Sequence, residues 1–519
     1  MNKSLQTVFH YHETTKHSQQ RYARSLGYMD WSTKPNPFRN YNGTKSISLP
    51  LALNNSTPPY HLLDSELPYA PLLLKSISQL LQFSMGIAAW KESGGSSWAV
   101  RCNASSGNLH PTETYIVLPP VLKEQNSKTT IYHYTPKNHG LETLAEFETP
   151  FWHELPKNSF LIGFSSISWR EVWKYGERAF RYVNLDAGHA WQSLVVSAKM
   201  LGWKVTRLDS VSDSEISTLL GVNQESRFFE KEIGDMLFVV SPEEVNPSLK
   251  IESLTESAPL VYEGIANQLS PSMQNWDIIP EIEEATSTLQ IKQKEVKHST
   301  LIKEPTQESK VVVMNRRSIH VMDRDESTIT KEQFHTLLSS VYDSLDAKEN
   351  SAHLILFVHR VKEYEAGLYI YLRNERDKDA LKQQMYTAFE WSETELKNLF
   401  LLEKRELTMA SKAISCSQDI ASDGAFSLGM LCNFSEQLNT YGAHRYKELY
   451  WECGAIGQQL YLEATSLGLS GTGIGCFLDD TVHNLLGLKD NRFATLYHFT
   501  VGRGYVDSRI QTKEAYPNR

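Results

Sequence analysis

Three short segments of this 519-residue chain carry side chains that could bind a ligand. Residues 104–111 precede an apolar run and combine hydroxyls, a glycine, an amide and an imidazole, contributed by Ser105, Ser106, Gly107, Asn108 and His110. Serine and asparagine donate and accept hydrogen bonds, and glycine lets the backbone approach closely, so this loop could bind a polar planar ligand. An ordinary serine-glycine turn is the alternative.

A basic segment follows the apolar run 311–314 and contains Arg316, Arg317, Ser318 and His320. The alternate residues Arg316, Ser318 and His320 are suited to clamp one phosphate, because arginine supplies a bidentate fork and serine a short hydrogen bond. A solvated basic surface explains the same residues.

A glycine-rich segment, residues 468–475, has glycine at four of its eight positions. We predict a loop whose backbone N–H groups around Gly473, Ile474 and Gly475 face a ligand without obstruction by side chains. A glycine-rich loop alone is a weak signal, and it gains weight from the internal repeat of the chain.

The elements that position these segments occur twice. With an offset of 266 residues, Phe160 aligns with Phe426, and the register holds without a gap to Gly221 and Gly487. At this offset the glycines 471, 473 and 475 fall on residues with side chains, which are Val205, Arg207 and Asp209. Two copies of one fold predict a covalently tethered pseudo-dimer, because a duplicated subunit usually keeps the interface of its ancestor.

The repeat predicts two domains, residues 1–240 and 311–519, joined by a linker over residues 241–310. The linker is rich in Ser, Glu, Gln, Lys and Pro, and a helical stretch beginning near Pro280 is expected to pack on a domain surface. The small and apolar residues from Ala187 to Leu201 recur at helical spacing, and Gly202 can end that helix. Thr330 and Gln333 form a capping box that opens a helix through Leu345. Strands are predicted at 114–118, 129–134, 236–240, 353–358, 368–372 and 495–501, so the fold class is α+β.

Composition narrows the function classes. The 52 Lys and Arg against 61 Asp and Glu give a net charge of -9, which argues against nucleic acid as a partner. No stretch approaches the roughly 20 apolar residues that span a bilayer, and residues 1–17 lack a signal-peptide core, so a cytoplasmic location without a membrane partner is expected.

The five cysteines are too scattered for a disulfide framework or a thiolate zinc site. The four residues His10, His12, Glu13 and His17 match no strong ligand spacing, and no metal is predicted.

On these residues the chain resembles the nitroreductase superfamily of flavin enzymes, in particular its SagB-type or azoline-dehydrogenase-like branch in a tandem-domain form. Residues 316–320 (RRSIH) are similar to the family's Arg-x-Ser-x-Arg/Lys phosphate clamp, and residues 105–111 (SSGNLHP) to its Ser-Ser-x-Asn-x-Gln-Pro loop. The runs 173–178 (WKYGER), 186–189 (DAGH), 473–480 (GIGCFLDD) and 501–503 (VGR) also look like that branch.

The resemblance implies domains with a mixed central sheet flanked by helices, and one FMN per chain between the two copies. The second copy would hold the phosphate through Arg316, Ser318 and His320, with Arg503 nearby, and the backbone at 473–475 would contact the isoalloxazine. The first copy would reach the ribityl chain and pyrimidine edge with Ser105, Ser106 and Asn108. His320 stands where the family has Arg or Lys, and Ala104 where it has Pro, and both departures are expected to weaken binding.

Lys174 and Tyr175 resemble the Lys-Tyr pair of azoline dehydrogenases. A lowered pKa in either side chain would let it take a proton as hydride leaves to flavin N5. A surface lysine followed by a core aromatic at a helix start is the alternative.

The sequence therefore predicts an FMN-dependent oxidoreductase that transfers hydride through flavin N5. Its substrate would be an azoline-type peptide ring or a small electrophile such as a quinone or nitroaromatic, with NAD(P)H or oxygen completing the cycle. The alternative is a non-catalytic, flavin-less scaffold or peptide-binding protein of a biosynthetic complex.

Overall fold

The computed structural model describes residues 2–120, 128–287, 289, 306–342 and 350–519. These residues form two compact units. The first unit contains residues 25–289, 307–314 and 509–519, and the second contains residues 2–24, 306 and 315–508, each within the described ranges.

Both units contain strands and helices. The strands of the first half of the chain are β1 (Tyr41–Asn42), β2 (Ser46–Ser48), β3 (Ile87–Ser93), β4 (Ser96–Arg101), β5 (Thr112–Leu118), β6 (Thr129–Thr135), β7 (Gly140–Phe147), β8 (Phe160–Ser166), β9 (Lys204–Arg207), β10 (Ile233–Ser241) and β11 (Ile265–Ala266). Those that follow are β12 (Ala352–Val358), β13 (Gly367–Tyr371), β14 (Ser392–Glu393), β15 (Leu399–Lys404), β16 (Phe426–Asn433), β17 (Ser470–Ile474), β18 (Phe493–Gly502) and β19 (Gln511–Lys513).

The α-helices of the first half are α1 (Lys3–Thr14), α2 (Leu74–Ser84), α3 (Trp169–Tyr175), α4 (Ala179–Lys199), α5 (Asp213–Leu220), α6 (Glu252–Ser257) and α7 (Ile278–Thr286). Those of the second half are α8 (Ser309–Asn315), α9 (Lys331–Ser339), α10 (Lys378–Gln384), α11 (Thr408–Ile414), α12 (Ile420–Asp423), α13 (Phe434–Tyr441), α14 (Arg445–Ser466) and α15 (Asp479–Leu486).

Each unit is built around a seven-stranded sheet, and the two strand orders correspond except at one edge, where β2 precedes the other strands in sequence and β14 lies between β13 and β15. The order is β2-β7-β6-β5-β8-β10-β9 in the first unit and β14-β15-β13-β12-β16-β18-β17 in the second. Pairings between the named strands are antiparallel, and parallel pairing occurs at isolated bridges such as Ser318 with Gly471. The central strands β5, β8, β12 and β16 are buried along their whole length, because helices cover both sheet faces. The α+β class is confirmed, and the mixed character of the sheet is confined to these bridges.

The predicted repeat is present in the structure. The strands β8 and β16, the long helices α4 and α14, and the short helices α5 and α15 begin 266 residues apart, at Phe160 and Phe426, Ala179 and Arg445, and Asp213 and Asp479. Gly202 follows α4 with φ +64°, and the capping box of Thr330 with Gln333 opens α9 as predicted. Leu345, expected in the same helix, lies outside the described residues.

The N-terminal segment of the chain belongs to the second unit, and the C-terminal segment belongs to the first. Helix α1 lies in the second unit, where His12 Nδ1 is 3.3 Å from Tyr446 Oη. Strand β19 lies in the first unit and pairs with β3, and Tyr516 Oη accepts a 3.0 Å hydrogen bond from the backbone of Ile87. The compact units therefore differ from the predicted segments 1–240 and 311–519, because nothing in the local sequence pattern signals which sheet a terminal segment joins.

Part of the predicted linker is a component of the first unit. Strand β11 pairs with β1, and α7 buries Ile279 and Ile282. Helix α7 begins at Ile278, close to the predicted Pro280. Residues 288 and 290–305 of the linker lie outside the described residues.

The cysteines differ in part from the sequence expectation. Cys416 and Cys476 of the second unit form a disulfide, whereas Cys102, Cys432 and Cys453 are free and buried. The 60-residue separation of the bonded pair hid their proximity, which the fold creates by bringing the turn after α11 beside the end of β17. Among the described helices, none has an apolar stretch of the length that a bilayer crossing needs.

Candidate functional site

The basic segment, residues 316–320, lies beside the glycine-rich strand in the second unit. Ser318 forms an isolated parallel bridge with Gly471. The backbone N–H of Ile319 donates to Thr472 Oγ1 at 2.9 Å, and Thr472 Oγ1 donates to the Ile319 carbonyl at 2.6 Å. The structure therefore brings together two of the three segments that the sequence singled out.

The side chains of the basic segment differ in exposure. Arg316 is only 3% exposed, whereas Ser318 and His320 face solvent. Arg317 is half-buried and donates to the Arg316 carbonyl at 2.7 Å. A buried guanidinium beside exposed donors is a set of groups suited to an anion, because the charge attracts the ligand and the hydroxyl can bond to its oxygens.

Arg503 follows β18 and has an exposed side chain. Its backbone accepts from Asp323 N–H at 2.8 Å and donates to Ser327 Oγ at 3.0 Å. Its backbone is thus fixed to the turn that follows the basic segment, and the side chain is available to solvent.

Tyr461 of α14 links the basic segment to β17. Its Oη lies 2.8 Å from Ser318 Oγ and accepts the backbone N–H of Gly473 at 2.8 Å. The Arg316 guanidinium lies over the Tyr461 ring, 5.1 Å from its centroid. Sequence reasoning missed Tyr461, although the repeat offered a signal, since its counterpart in the first copy is Val195.

The glycine-rich segment is an edge strand, β17, and the prediction of a loop was wrong. A Cβ on Gly473 would lie 1.8 Å from Tyr497 Oη, and a Cβ on Gly471 would lie 2.8 Å from the Phe499 ring. Glycine is required at both positions because aromatic side chains of the neighbouring strand β18 occupy the space. The N–H of Gly473 is taken by Tyr461.

In the first unit, the serine-asparagine loop 104–110 is anchored to α4 by Asp186. The carboxylate of Asp186 accepts from Ser105 Oγ at 2.5 Å, from Ser106 Oγ at 2.8 Å and from the Ser106 backbone at 2.9 Å. Asn108, with φ +58°, donates to the Ala99 carbonyl at 2.8 Å, and its Oδ1 lies 3.0 Å from His110 Nε2. The polar groups of this loop therefore make hydrogen bonds within the first unit.

The structure places Lys174 and Tyr175 against the same loop. A Cβ on the exposed Gly107, which has φ +57°, would lie 2.9 Å from Tyr175 Oη and 3.1 Å from Lys174 Nζ. The ring of Tyr175 packs on Tyr182 with centroids 4.2 Å apart, and Lys174 Nζ lies 5.2 Å from the Tyr175 centroid. Both side chains are half-buried at the end of α3.

The electrostatic environment keeps Tyr175 protonated. Burial raises the pKa of Tyr175 well above its usual range, and the nearby Glu171, Tyr182 and Asp186 raise it further. The expectation of a lowered pKa is therefore wrong for Tyr175, because burial disfavours the phenolate and the neighbouring groups add to this effect. As a neutral phenol it donates a hydrogen bond or a proton.

Two buried carboxyl groups near this pair were missed by sequence reasoning. Glu171 of α3 is 0% exposed, and its oxygens have no hydrogen-bond partner among the residues that the structure describes. Burial raises its pKa well above the usual range, the Asp186 charge adds to this, and Lys174 and Arg170 oppose it. Burial also raises the pKa of Asp186 to about 7, against the hydrogen bonds from the two serines. The spacing of Glu171 to Lys174 and Tyr175, three and four residues, was the available signal.

The N-terminal histidines make local contacts in the second unit. His12 lies beside Tyr446, and His17 Nδ1 accepts from the Ala23 backbone at 3.0 Å. Through these contacts both histidine rings help to hold the N-terminal segment in place.

The comparisons with known proteins decide the family. The sequence profile described as the Nitroreductase family matches residues 78–229 and 313–503, together more than half of the chain. The chain belongs to the nitroreductase family. Membership supports an oxidoreductase activity in general terms.

Two known proteins are similar in sequence to this nitroreductase-family chain. A protein of Methanocaldococcus jannaschii named as a nitroreductase is 26% identical over 165 residues, 30% of this chain and 77% of the relative. The microcin B17-processing protein McbC of Escherichia coli is 24% identical over 132 residues, 24% of this chain and 48% of McbC. This match thus spans about half the length of McbC.

A solved structure shares the whole tandem fold. The crystal structure of a protein from Anabaena variabilis named as a nitroreductase matches with a TM-score of 0.71, at 21% identity, over 96% of this chain and 99% of the other. At that identity the likeness concerns the fold alone.

Strand β9 of the first nitroreductase domain has side chains at the positions where β17 of the second domain has glycines. In β9, Arg207 stacks over Trp191, 5.4 Å from the ring centroid, and pairs with Asp209 at 2.6 Å. The counterpart of Asp186 in the second domain, Glu452, pairs with Arg373 at 2.5 Å. The two copies therefore differ at both places.

Proposed function

We propose that this nitroreductase-family chain is an FMN-dependent oxidoreductase, with the flavin phosphate held by the basic segment. The observation that carries the proposal is the cluster of Arg316, Ser318 and β17 around Tyr461. Bound FMN would supply hydride transfer at N5.

The donor set of the basic segment fits a phosphate. Arg316 is almost fully buried, and a buried guanidinium is favourable only when an anion or several acceptors compensate for its lost hydration. Ser318 and His320 are exposed beside it and add a hydroxyl and an imidazole. Arg503, which follows the adjacent β18, contributes positive charge to the same region.

The acid and base groups of the reaction are assigned to Lys174 and Tyr175. The raised pKa of Tyr175 keeps the phenol protonated at neutral pH, so that it can donate a hydrogen bond to a reacting group. Lys174 is half-buried beside it and can exchange a proton with a reacting group. Loop 104–110 holds Gly107 against both side chains and thereby limits the space in front of them.

The substrate class that we propose is an azoline-type ring in a modified peptide, with small electrophiles such as quinones or nitroaromatics as the other candidates. The similarity to McbC, named for the processing of microcin B17, supports the peptide substrate. NAD(P)H would complete the cycle of a reductase, and oxygen that of an oxidase.

One observation favours the second candidate, a flavin-less scaffold of a biosynthetic complex. Ser105, Ser106 and Asn108, which the family resemblance assigns to the flavin, make their hydrogen bonds to Asp186 and to the Ala99 carbonyl of β4. A scaffold would need no free polar groups there.

The test compares two alanine variants. Arg316→Ala removes the buried charge, and we expect FMN affinity to fall by about 2–4 kcal/mol, the range for a lost ionic hydrogen bond. Lys174→Ala should keep the flavin and reduce turnover about a hundredfold, as loss of an acid or base does. Fluorescence titration with FMN and single-turnover kinetics measure the two effects.

Arg324→Ala is the matched control, since Arg324 is exposed and follows the basic segment. It should leave both properties near the wild-type values. Unchanged FMN affinity in Arg316→Ala contradicts the phosphate assignment, and equal loss of flavin and turnover in Lys174→Ala makes the lysine structural.

A further inference from the structure

The hydroxyl of Tyr461 is the meeting point of three chain segments in the second unit. It lies 2.8 Å from Ser318 Oγ in the basic segment and accepts the Gly473 N–H of β17 at 2.8 Å. Its ring lies under the Arg316 guanidinium and packs edge-on to Phe499, with centroids 4.8 Å apart. Tyr461 itself is buried on α14, so the rigid helix fixes the position of its hydroxyl.

The hydrogen bond between Tyr461 and Ser318 can run in either direction, because both groups are hydroxyls. A phenol has one O–H to donate, and Tyr461 Oη already accepts from Gly473. When Tyr461 donates its proton to Ser318 Oγ, the Ser318 O–H is free to donate in turn. Ser318 faces solvent, so this second donor is presented to a ligand.

The charge of Arg316 favours the same arrangement. A guanidinium over the face of a tyrosine ring is attracted by the ring electrons and is thereby oriented. Tyr461 thus contacts Arg316 and Ser318, two of the residues that the proposed function assigns to the phosphate. The counterpart residue Val195 in the first domain has no hydroxyl and no aromatic ring.

We propose that Tyr461 is a positioning residue for anion binding, which holds Ser318 as a hydrogen-bond donor and Arg316 in register for the phosphate of FMN. This inference rests on the proposed function and adds to it a residue that does not itself touch the ligand. It also explains why a tyrosine, rather than a purely apolar residue, is buried at this point of α14.

The test separates the phosphate from the rest of the flavin by comparing the dissociation constants of FMN and riboflavin. Tyr461→Phe keeps the ring and removes the hydroxyl. We expect FMN affinity to fall about tenfold and riboflavin affinity to change less than about twofold, because only FMN uses the Ser318 donor. A residue with a merely structural role would weaken both ligands alike.

Tyr446→Phe is the matched control. Tyr446 lies on the same helix, is buried, and its hydroxyl is 3.3 Å from His12 Nδ1. The ratio of the two dissociation constants should stay at the wild-type value in this variant.

Tyr461→Phe removes only one buried hydroxyl, and a double-variant cycle with Ser318 tests whether the two hydroxyls act together. Ser318→Ala changes an exposed residue and should reproduce the selective loss of FMN, and the double variant should lose no more than Ser318→Ala alone. Equal weakening of FMN and riboflavin, or additive losses in the double variant, would overturn the role of Tyr461. A wild-type protein that binds the two flavins equally would instead overturn the phosphate clamp, and with it the proposed function.

Discussion

At the scale of single residues, the most unusual groups are the buried carboxyls Asp186 and Glu171. A carboxylate without water around it is costly unless cations or several donors compensate. Asp186 has three hydrogen bonds from Ser105 and Ser106, and still burial dominates and raises its pKa to about 7. Both carboxyls therefore keep their protons to a higher pH than an exposed carboxyl does, close to Lys174 and Tyr175, which suits a site for proton transfer.

The raised pKa of Asp186 predicts a specific pH dependence of stability. Below pH 4, near its ordinary value of 3.8, Asp186 is protonated in the folded and unfolded states alike. Between about pH 4 and 7 the unfolded chain loses this proton and the folded chain keeps it, so the wild-type free energy of unfolding falls as the pH rises. Asp186→Asn removes this term, which amounts to at most about 4 kcal/mol.

Urea denaturation of Asp186→Asn and wild type at pH 5, 6.5 and 8 measures this effect. We expect the variant to gain stability relative to wild type across the series and the gain to level off above pH 7. The exposed Asp480→Asn is the control and should show a flat difference. A difference for Asp186→Asn that does not change with pH contradicts the assignment.

Residue types at suggestive spacing led to the basic segment and to Lys174 with Tyr175, and the structure groups each with further polar residues. The sequence could not identify Tyr461, because its contacts join α14 to two segments far away in the chain. It also could not show that Ser105 and Ser106 bind Asp186, since a serine has the same hydrogen-bonding ability toward a ligand and toward a neighbouring carboxylate.

At the scale of elements, β17 shows how a glycine pattern can mislead. Alternate glycines at 471 and 473 lie under Phe499 and Tyr497 of β18, so the pattern has the period of two of a strand. The absence of Cβ atoms lets the aromatic rings cover β17. This arrangement keeps the strand close to Tyr461 and to the basic segment.

Gly473→Ala tests this explanation of the glycines. The new methyl group would overlap Tyr497 Oη, and we expect a loss of about 1–3 kcal/mol in the free energy of unfolding, as for overpacking. In a Tyr497→Ala background the same change should cost much less, because the obstructing side chain is absent. Chemical denaturation of the four proteins gives the coupling, and additive losses would show that the ring is not the cause.

Elements with a clear period or cap were predictable. The strands expected at 114–118, 353–358 and 495–501 and the capping box at Thr330 are present, since local pattern and burial agree there. The disulfide of Cys416 with Cys476 was not predictable, because 60 residues separate the two and only the fold brings them together.

At the scale of the whole molecule, duplication followed by divergence explains the distribution of site residues. The two sheets share one strand order except at the edge strands β2 and β14, and the long helices α4 and α14 occupy equivalent positions in the repeat. Yet the second domain has Tyr461 and the glycine strand where the first has Val195 and Arg207. The gapless repeat revealed the difference between the glycines and Arg207 in the sequence itself, whereas the difference between Tyr461 and Val195 was not recognised there.

The exchange of terminal segments was beyond the reach of sequence patterns. Residues 2–24 complete the second unit, and residues 509–519 complete the first. Helix propensity predicts neither partner, since α1 and β19 owe their places to tertiary contacts such as those of His12 and Tyr516. Each nitroreductase unit is therefore built from discontinuous stretches of the chain.

The flavin content of the purified chain tests the central claim most directly. Denaturation should release FMN, identified by chromatography and absorbance, and we expect one FMN per chain, the number that the family resemblance implies. A colourless protein that takes up no FMN on incubation would contradict the account and favour the scaffold.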